Sequence, residues 1–192
     1  MKRYTESYVN LYHGTTEESA LEIVRNQKFL PSDGDNWCGA GIYFYDNKTK
    51  ALWAAKRKCE QIRRISGERC GYTYVNADII NIDREKVLDL RSFQGLEAFE
   101  SFVDHILEEC NFTVVGDEEE HEKIVKKRAI LISLFCDEYE KKLVIGLFRQ
   151  APRADAANLH VVAETWELVI GVETIYCVKD DTVIQNIRGV SQ

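Results

Sequence analysis

The 192 residues are 45% hydrophobic and 30% charged with a formal net charge of −7, a balance that suits one domain with an ordinary core and excludes disordered, collagen-like and coiled-coil chains. No apolar run approaches the roughly 20 residues of a membrane helix, and no apolar stretch follows the basic residues after Met1, so the expectation is a cytoplasmic chain without membrane span or signal peptide. The acidic balance argues against a general nucleic-acid coat, which must neutralise phosphates, but leaves room for a local basic cleft.

Val9-Asn-Leu-Tyr-His13 is a short strand-like run that meets Gly14. Thr15-Thr-Glu-Glu18 then has the form of a capping box and predicts a helix from about Thr16 to Lys28. A loop rich in Gly, Asp and Asn, from Pro31 to Gly41, delivers the chain into the β-prone quartet Ile42-Tyr-Phe-Tyr45. From Thr49 to about Ile65, Ala51, Ala55, Cys59 and Ile62 recur at helical spacing, whereas Trp53 shares the far side with Lys50, Arg57 and Arg64. Tyr72 to Leu90 alternates as strand, turn and strand.

Leu96, Phe99, Val103, Ile106 and Cys110 keep a period of 3.6, as do Val125, Ala129, Ile132, Phe135 and Tyr139, so two helices are expected there. The acidic run Asp117–Glu122 between them reads as a solvated helix start. β-rich pieces follow at Leu143–Phe148, Leu159–Ala163, Glu167–Ile170 and Thr174–Val178. The order predicts an α+β fold with a mainly antiparallel sheet in a single domain over 1–192. Six cysteines without a Cys-x-x-Cys pair are expected to be reduced, and four histidines far apart in sequence give no ground for a metal site.

Three pieces taken together resemble the ADP-ribosyltransferase superfamily. They are Leu11-Tyr-His-Gly-Thr15, Gly39-Ala-Gly-Ile-Tyr-Phe44 with Ala51 and Trp53 soon after, and a late strand opening at Glu167-Leu-Val-Ile170. The likeness is to the His-Tyr-Glu branch of poly(ADP-ribose) polymerases and diphtheria toxin. It covers about residues 8 to 58 and 160 to 178 and is absent from about 92 to 142, which would be a helical insertion. The fold it implies is a split antiparallel β-sheet core with flanking helices.

The resemblance implies NAD as co-substrate, no metal, and transfer of ADP-ribose to a macromolecular acceptor, protein or nucleic acid, with loss of nicotinamide. A single-domain member of this kind fits a bacterial or phage toxin or effector. His13 would bond the adenosine ribose, and Gly14 would offer its backbone amide and carbonyl to the nicotinamide. Thr15 and Gly41 would complete the cofactor contacts. Tyr43 would stack on the nicotinamide with Trp53 opposite, and Thr49 sits near the family's carboxamide-touching serine. Glu167 would be the third triad member, bonding the nicotinamide ribose and stabilising positive charge on it; Glu164 is the alternative, three residues earlier and hence on the opposite face of a strand. No Glu-x-Glu pattern precedes Glu167, which puts arginine as acceptor in doubt.

Each of these residues also has an ordinary structural reading. A histidine ending a strand satisfies a turn, a tyrosine in an apolar quartet fills a core, glycine pairs make turns, and a strand glutamate faces water. A catalytically inactive NAD-binding module of the same fold is therefore the second hypothesis. An RNA 2′-phosphotransferase is the third, disfavoured because no arginine stands between Arg25 and Arg57 to hold an RNA phosphate. The basic residues between Lys48 and Arg69 read either as a solvated helix face or as an acceptor surface.

Overall fold

A computed structural model describes residues 4–34, 36–109, 121–149 and 172–189. Strand β1 (Thr5–Thr16) runs into helix α1 (Glu17–Asn26) where the capping box predicts, with the Thr16 hydroxyl accepting the Ser19 N–H at 3.1 Å. Gln27, in the left-handed region, ends the helix. Strand β2 (Ile42–Tyr45) precedes helix α2 (Lys48–Ser66), which Asn47 caps by accepting the Thr49 N–H at 2.8 Å and Gly67 terminates at φ 76°. Strands β3 (Tyr72–Asp83) and β4 (Val87–Asp89), helices α3 (Phe93–Glu109) and α4 (His121–Glu138), and strands β5 (Leu143–Arg149), β6 (Val172–Val178) and β7 (Ile184–Arg188) complete the described chain. The pieces expected at 159–163 and 167–170, and the acidic residues 117–120, lie outside the described residues.

The seven strands are ordered β4-β5-β6-β2-β1-β3-β7, and every neighbouring pair is antiparallel except β4–β5. The α+β expectation with a mainly antiparallel sheet therefore holds. A parallel pair needs a long crossover, and α3 with α4 supplies it, so the helical segment expected as an insertion is the connection that lets β5 pair with β4.

The sheet narrows at one seam. β1 and β3 pair from Thr5↔Asp83 to Thr16↔Tyr72, whereas β1 meets β2 through the single pair Tyr12↔Tyr45. Two apolar clusters lie on opposite faces. Leu11, Phe29, Ile42, Phe44, Val75, Tyr176 and Val178 pack with Ala20 and Ile23 of α1 on one; Val144, Ile175, Cys177 and Cys38 pack with Phe102, Ile132 and Phe135 of α3 and α4 on the other. Tyr43 and Tyr45 lie against the second cluster, as the strand period of two requires.

Two expectations are corrected. β7 was not anticipated, because Ile184-Gln-Asn-Ile-Arg188 has only two apolar residues and a bulge with Asn186 at φ 52°. Its anchor is Asp78, whose buried carboxylate accepts hydrogen bonds from the Asn10 N–H, Asn186 Nδ2 and Arg188 Nη2 at 2.8 to 2.9 Å. Burial pushes the Asp78 pKa up, but these donors outweigh it and hold the group below its ordinary value.

The cysteines are not all reduced: Cys59 and Cys70 form a disulfide, with Cα atoms 5.7 Å apart. The left-handed turn at Gly67 folds the chain back along α2 and brings Cys70 to the buried helix stripe that holds Cys59. Closing a loop of 11 residues restricts the unfolded chain by about 3 kcal/mol. Cys70→Ser is expected to lower the urea-unfolding free energy by about that amount. Excess reductant should abolish the difference between variant and wild type.

Candidate active site

Of the residues singled out by the sequence, His13 of β1 and Tyr43 of β2 meet at the β1–β2 seam. His13 lies on β1 with its ring against Phe29 and Phe44, at 5.1 and 5.7 Å between centroids. Its Nδ1 is 2.8 Å from the Tyr43 carbonyl oxygen. A carbonyl only accepts, so Nδ1 carries the proton and Nε2 is the acceptor. This side-chain bond crosses the seam where the strands share one register pair. Burial pushes the His13 pKa down to about 4, with the Lys58 charge acting in the same direction and the Tyr43 bond opposing it.

The sign of the resulting pH dependence follows from the histidine being neutral when folded. Below about pH 6.5 the unfolded chain takes up a proton that the folded chain refuses, so stability falls from there toward pH 4 by on the order of 3 kcal/mol. Urea titrations at stepped pH should show this loss in the wild type and a smaller one in His13→Gln.

Gly14 packs on the first turns of α2. A Cβ there would fall on the Ala51 carbonyl oxygen, so close strand–helix approach alone requires glycine. Thr15 is fully buried. Gly41 lies against β6, where a Cβ would sit 2.5 Å from the Cys177 sulfur and 2.9 Å from the Val178 oxygen.

Tyr43 closes the preceding loop: its hydroxyl donates to the Gly39 oxygen at 2.5 Å and accepts the Cys38 N–H at 3.0 Å. Burial, then the neighbouring thiols Cys177 and Cys38, raise its pKa far above the ordinary range, so it is a neutral hydrogen-bonding group. Lys179 Nζ donates to the Cys38 and Ala40 oxygens at 2.6 Å each, and Arg128 Nε of α4 donates to the Trp37 oxygen at 3.1 Å. The Arg128 guanidinium lies over Trp37 and Phe148, 5.0 and 4.9 Å from their ring centroids. The loop entering β2 is thus fastened from β6 and α4 before any ligand arrives.

A buried carboxylate on this face that the sequence reading missed is that of Glu173. In β6, Cys177 pairs with Tyr43 and Ile175 with Tyr45, and alternation puts Glu173 on this same face, one step beyond Tyr45. Its side chain is 4% exposed and ion-paired with Lys50 of α2, itself 26% exposed. The carboxylate also acts on Tyr45, whose pKa is pushed up to about 12 by burial and then by the Glu173 charge. Glu173 precedes the apolar run Ile175–Val178 with Thr174 between, whereas Glu167 adjoins Leu168–Ile170 directly, so the signal used for Glu167 is present at Glu173 in a weaker form. Glu164 and Glu167 lie outside the described residues.

Thr49 is exposed at the second position of α2. Trp53, one turn after Lys50, is 43% exposed, with the Arg57 guanidinium 5.7 Å from its ring centroid. Gly14, Tyr43, Tyr45, Lys50 and Glu173 therefore share one face of the sheet, while the His13 ring lies on the other and reaches Tyr43 across the seam. Among the described residues no three His, Cys, Asp or Glu side chains are grouped to hold a metal ion, and no helix is long and apolar enough to cross a membrane.

No protein-family model and no solved structure matches the chain. It is similar to an uncharacterized protein of Methanocaldococcus jannaschii, 32% identical over 94 residues. That match spans 46% of this chain and 41% of the archaeal protein.

Proposed function

We propose that the chain is an NAD+-dependent ADP-ribosyltransferase that moves ADP-ribose to a macromolecular acceptor and releases nicotinamide. The observation that carries this reading is the buried Glu173 carboxylate, one strand from Tyr43 and on the same face of the sheet. In the reaction, the bond between the ribose C1′ and the nicotinamide nitrogen breaks. Its electron pair leaves with nicotinamide, and an acceptor atom bonds C1′ and gives up a proton. Positive charge grows on the ribose in between, and a fixed carboxylate excluded from water is the group that stabilises it best. The neutral His13 braces β2 from the opposite face through its Nδ1 bond to the Tyr43 carbonyl, and the neutral Tyr43 lies on the carboxylate's face of the sheet, with Tyr45 between them.

The test is incubation of the purified chain with NAD+ labelled in its adenosine half, with and without cell extract. The expected result is free nicotinamide together with label in material sensitive to nuclease or to protease. Absence of nicotinamide release in the presence of extract overturns the reading. A second reading is favoured by the Lys50–Glu173 pair, since a buried carboxylate neutralised by a half-buried ammonium also suits a non-catalytic NAD-binding module. NAD+ binding without nicotinamide release would support it.

A further inference from the structure

We infer that the solvent face of α2 is a docking track for single-stranded nucleic acid, which makes a nucleic acid the acceptor; the acceptor half of this statement rests on the transferase reading, the docking half does not. In a chain of net charge −7, α2 carries Lys48, Lys50, Lys56, Arg57, Lys58, Arg63 and Arg64 against Glu60 as its one acidic residue. Three of these seven charges line up with Trp53 on the side opposite the buried stripe. Ala51, Ala55 and Cys59 form the buried stripe, while Trp53, Lys56, Arg57, Arg63 and Arg64 are exposed. At 100° per residue, Lys50, Trp53, Arg57 and Arg64 fall within a sector of about 60°. They make one row running about 21 Å along the helix.

The row begins at the candidate catalytic carboxylate, because Lys50 is the partner of Glu173. Alongside it, on the flank that carries Lys56, Glu60 and Arg63, lies a groove of about 360 Å³ between α2 and the start of β3, lined also by Arg69 and Tyr72 and backed by the Cys59–Cys70 disulfide. Trp53 and Tyr72 are 43% and 44% exposed; the Arg57 guanidinium lies over the Trp53 ring, and Tyr72 lines the same groove as Arg63 and Arg69. Cations alone would suit any acidic partner. Exposed aromatic faces set between cations suit unpaired bases, which stack while the phosphates are neutralised. A duplex keeps its base faces covered and cannot use them.

The test is fluorescence anisotropy of labelled mixed-sequence 20-mers, single-stranded RNA and DNA, with the full chain and no NAD+ present. The expected result is binding at 50 mM salt that weakens at least tenfold at 200 mM. Unlabelled single strand should compete better than duplex or a glutamate-rich peptide. The combined variant Lys56→Glu, Arg63→Glu, Arg64→Glu should weaken binding at least tenfold, and the gentler Gln triple in the same direction. Tyr72→Ala should weaken it severalfold at unchanged charge. No binding at 50 mM salt, wild-type affinity in both triple variants, or a peptide that competes as well as the oligonucleotides overturns the track. Label transfer and nicotinamide release measured on the same triple variants separate the two readings: lost oligonucleotide binding with undiminished transfer of label overturns the acceptor assignment and keeps the track, whereas binding by a chain that releases no nicotinamide overturns the transferase and the acceptor assignment and keeps the track.

Discussion

Glu173→Gln is expected to bind NAD+ within a few-fold of wild type and to release nicotinamide at least about a hundred-fold more slowly. The substitution keeps shape and hydrogen bonding but removes the charge facing the ribose as it becomes cationic, a loss of about 3 to 4 kcal/mol of transition-state stabilisation. The same change leaves the Lys50 ammonium without its carboxylate, so a thermal melt must accompany the kinetics, and a folded variant with intact NAD+ affinity isolates the chemical step. Glu167→Gln and Glu164→Gln, made in parallel, are expected to keep most of the activity. A hundred-fold loss in Glu167→Gln instead would return the catalytic role to the carboxylate that the sequence resemblance selects.

Gly14→Ala is expected to lower the unfolding free energy by about 3 kcal/mol, the upper end of what overpacking costs, because the new methyl meets helix backbone rather than a movable side chain. Gly34, where a Cβ would meet nothing within 4 Å, is the control, and its alanine variant should stay within about 0.5 kcal/mol of wild type. Urea denaturation measures both. The resemblance gives Gly14 a different reason, the approach of a nicotinamide. Unchanged stability with weakened NAD+ binding in Gly14→Ala would favour that reason over the packing against Ala51.

What was legible in the sequence was local. Thr16 stands at a helix start because a hydroxyl satisfies a free amide, and the stripe Ala51, Ala55, Cys59 reports one buried face without knowledge of its partner. The elements that escaped depend on distant partners. β7 is held by Asp78, more than a hundred residues away, and its own alternation is too weak to announce a strand. Cys59 and Cys70 read as unrelated thiols because their pairing depends on a left-handed turn at Gly67 returning the chain along α2. Glu167 adjoins its apolar run while Thr174 separates Glu173 from its own, and what singles out Glu173 is Lys50, contributed by a helix more than a hundred residues earlier. The three motif pieces could be ordered along the chain, but the face that each side chain takes at the seam required the strand register.

The crossover through α3 and α4 bears on how this protein can be cut down. Residues 92–142 look dispensable when the sequence resemblance treats them as an insertion. Excising them would nevertheless unpair β5 from β4, uncover Val144, Ile175 and Cys177, and remove the Arg128 grip on Trp37. Gly39 shows how tight that grip is: at φ 79° it lies under α4, where a Cβ would sit 3.0 Å from the Ala129 oxygen and collide with the Ser133 hydroxyl. The hydroxyl of Tyr43 hangs from that same glycine. A minimal domain made by deletion would therefore lose the support of Tyr43, and miniaturisation has to replace the helical pair with another brace rather than a short linker.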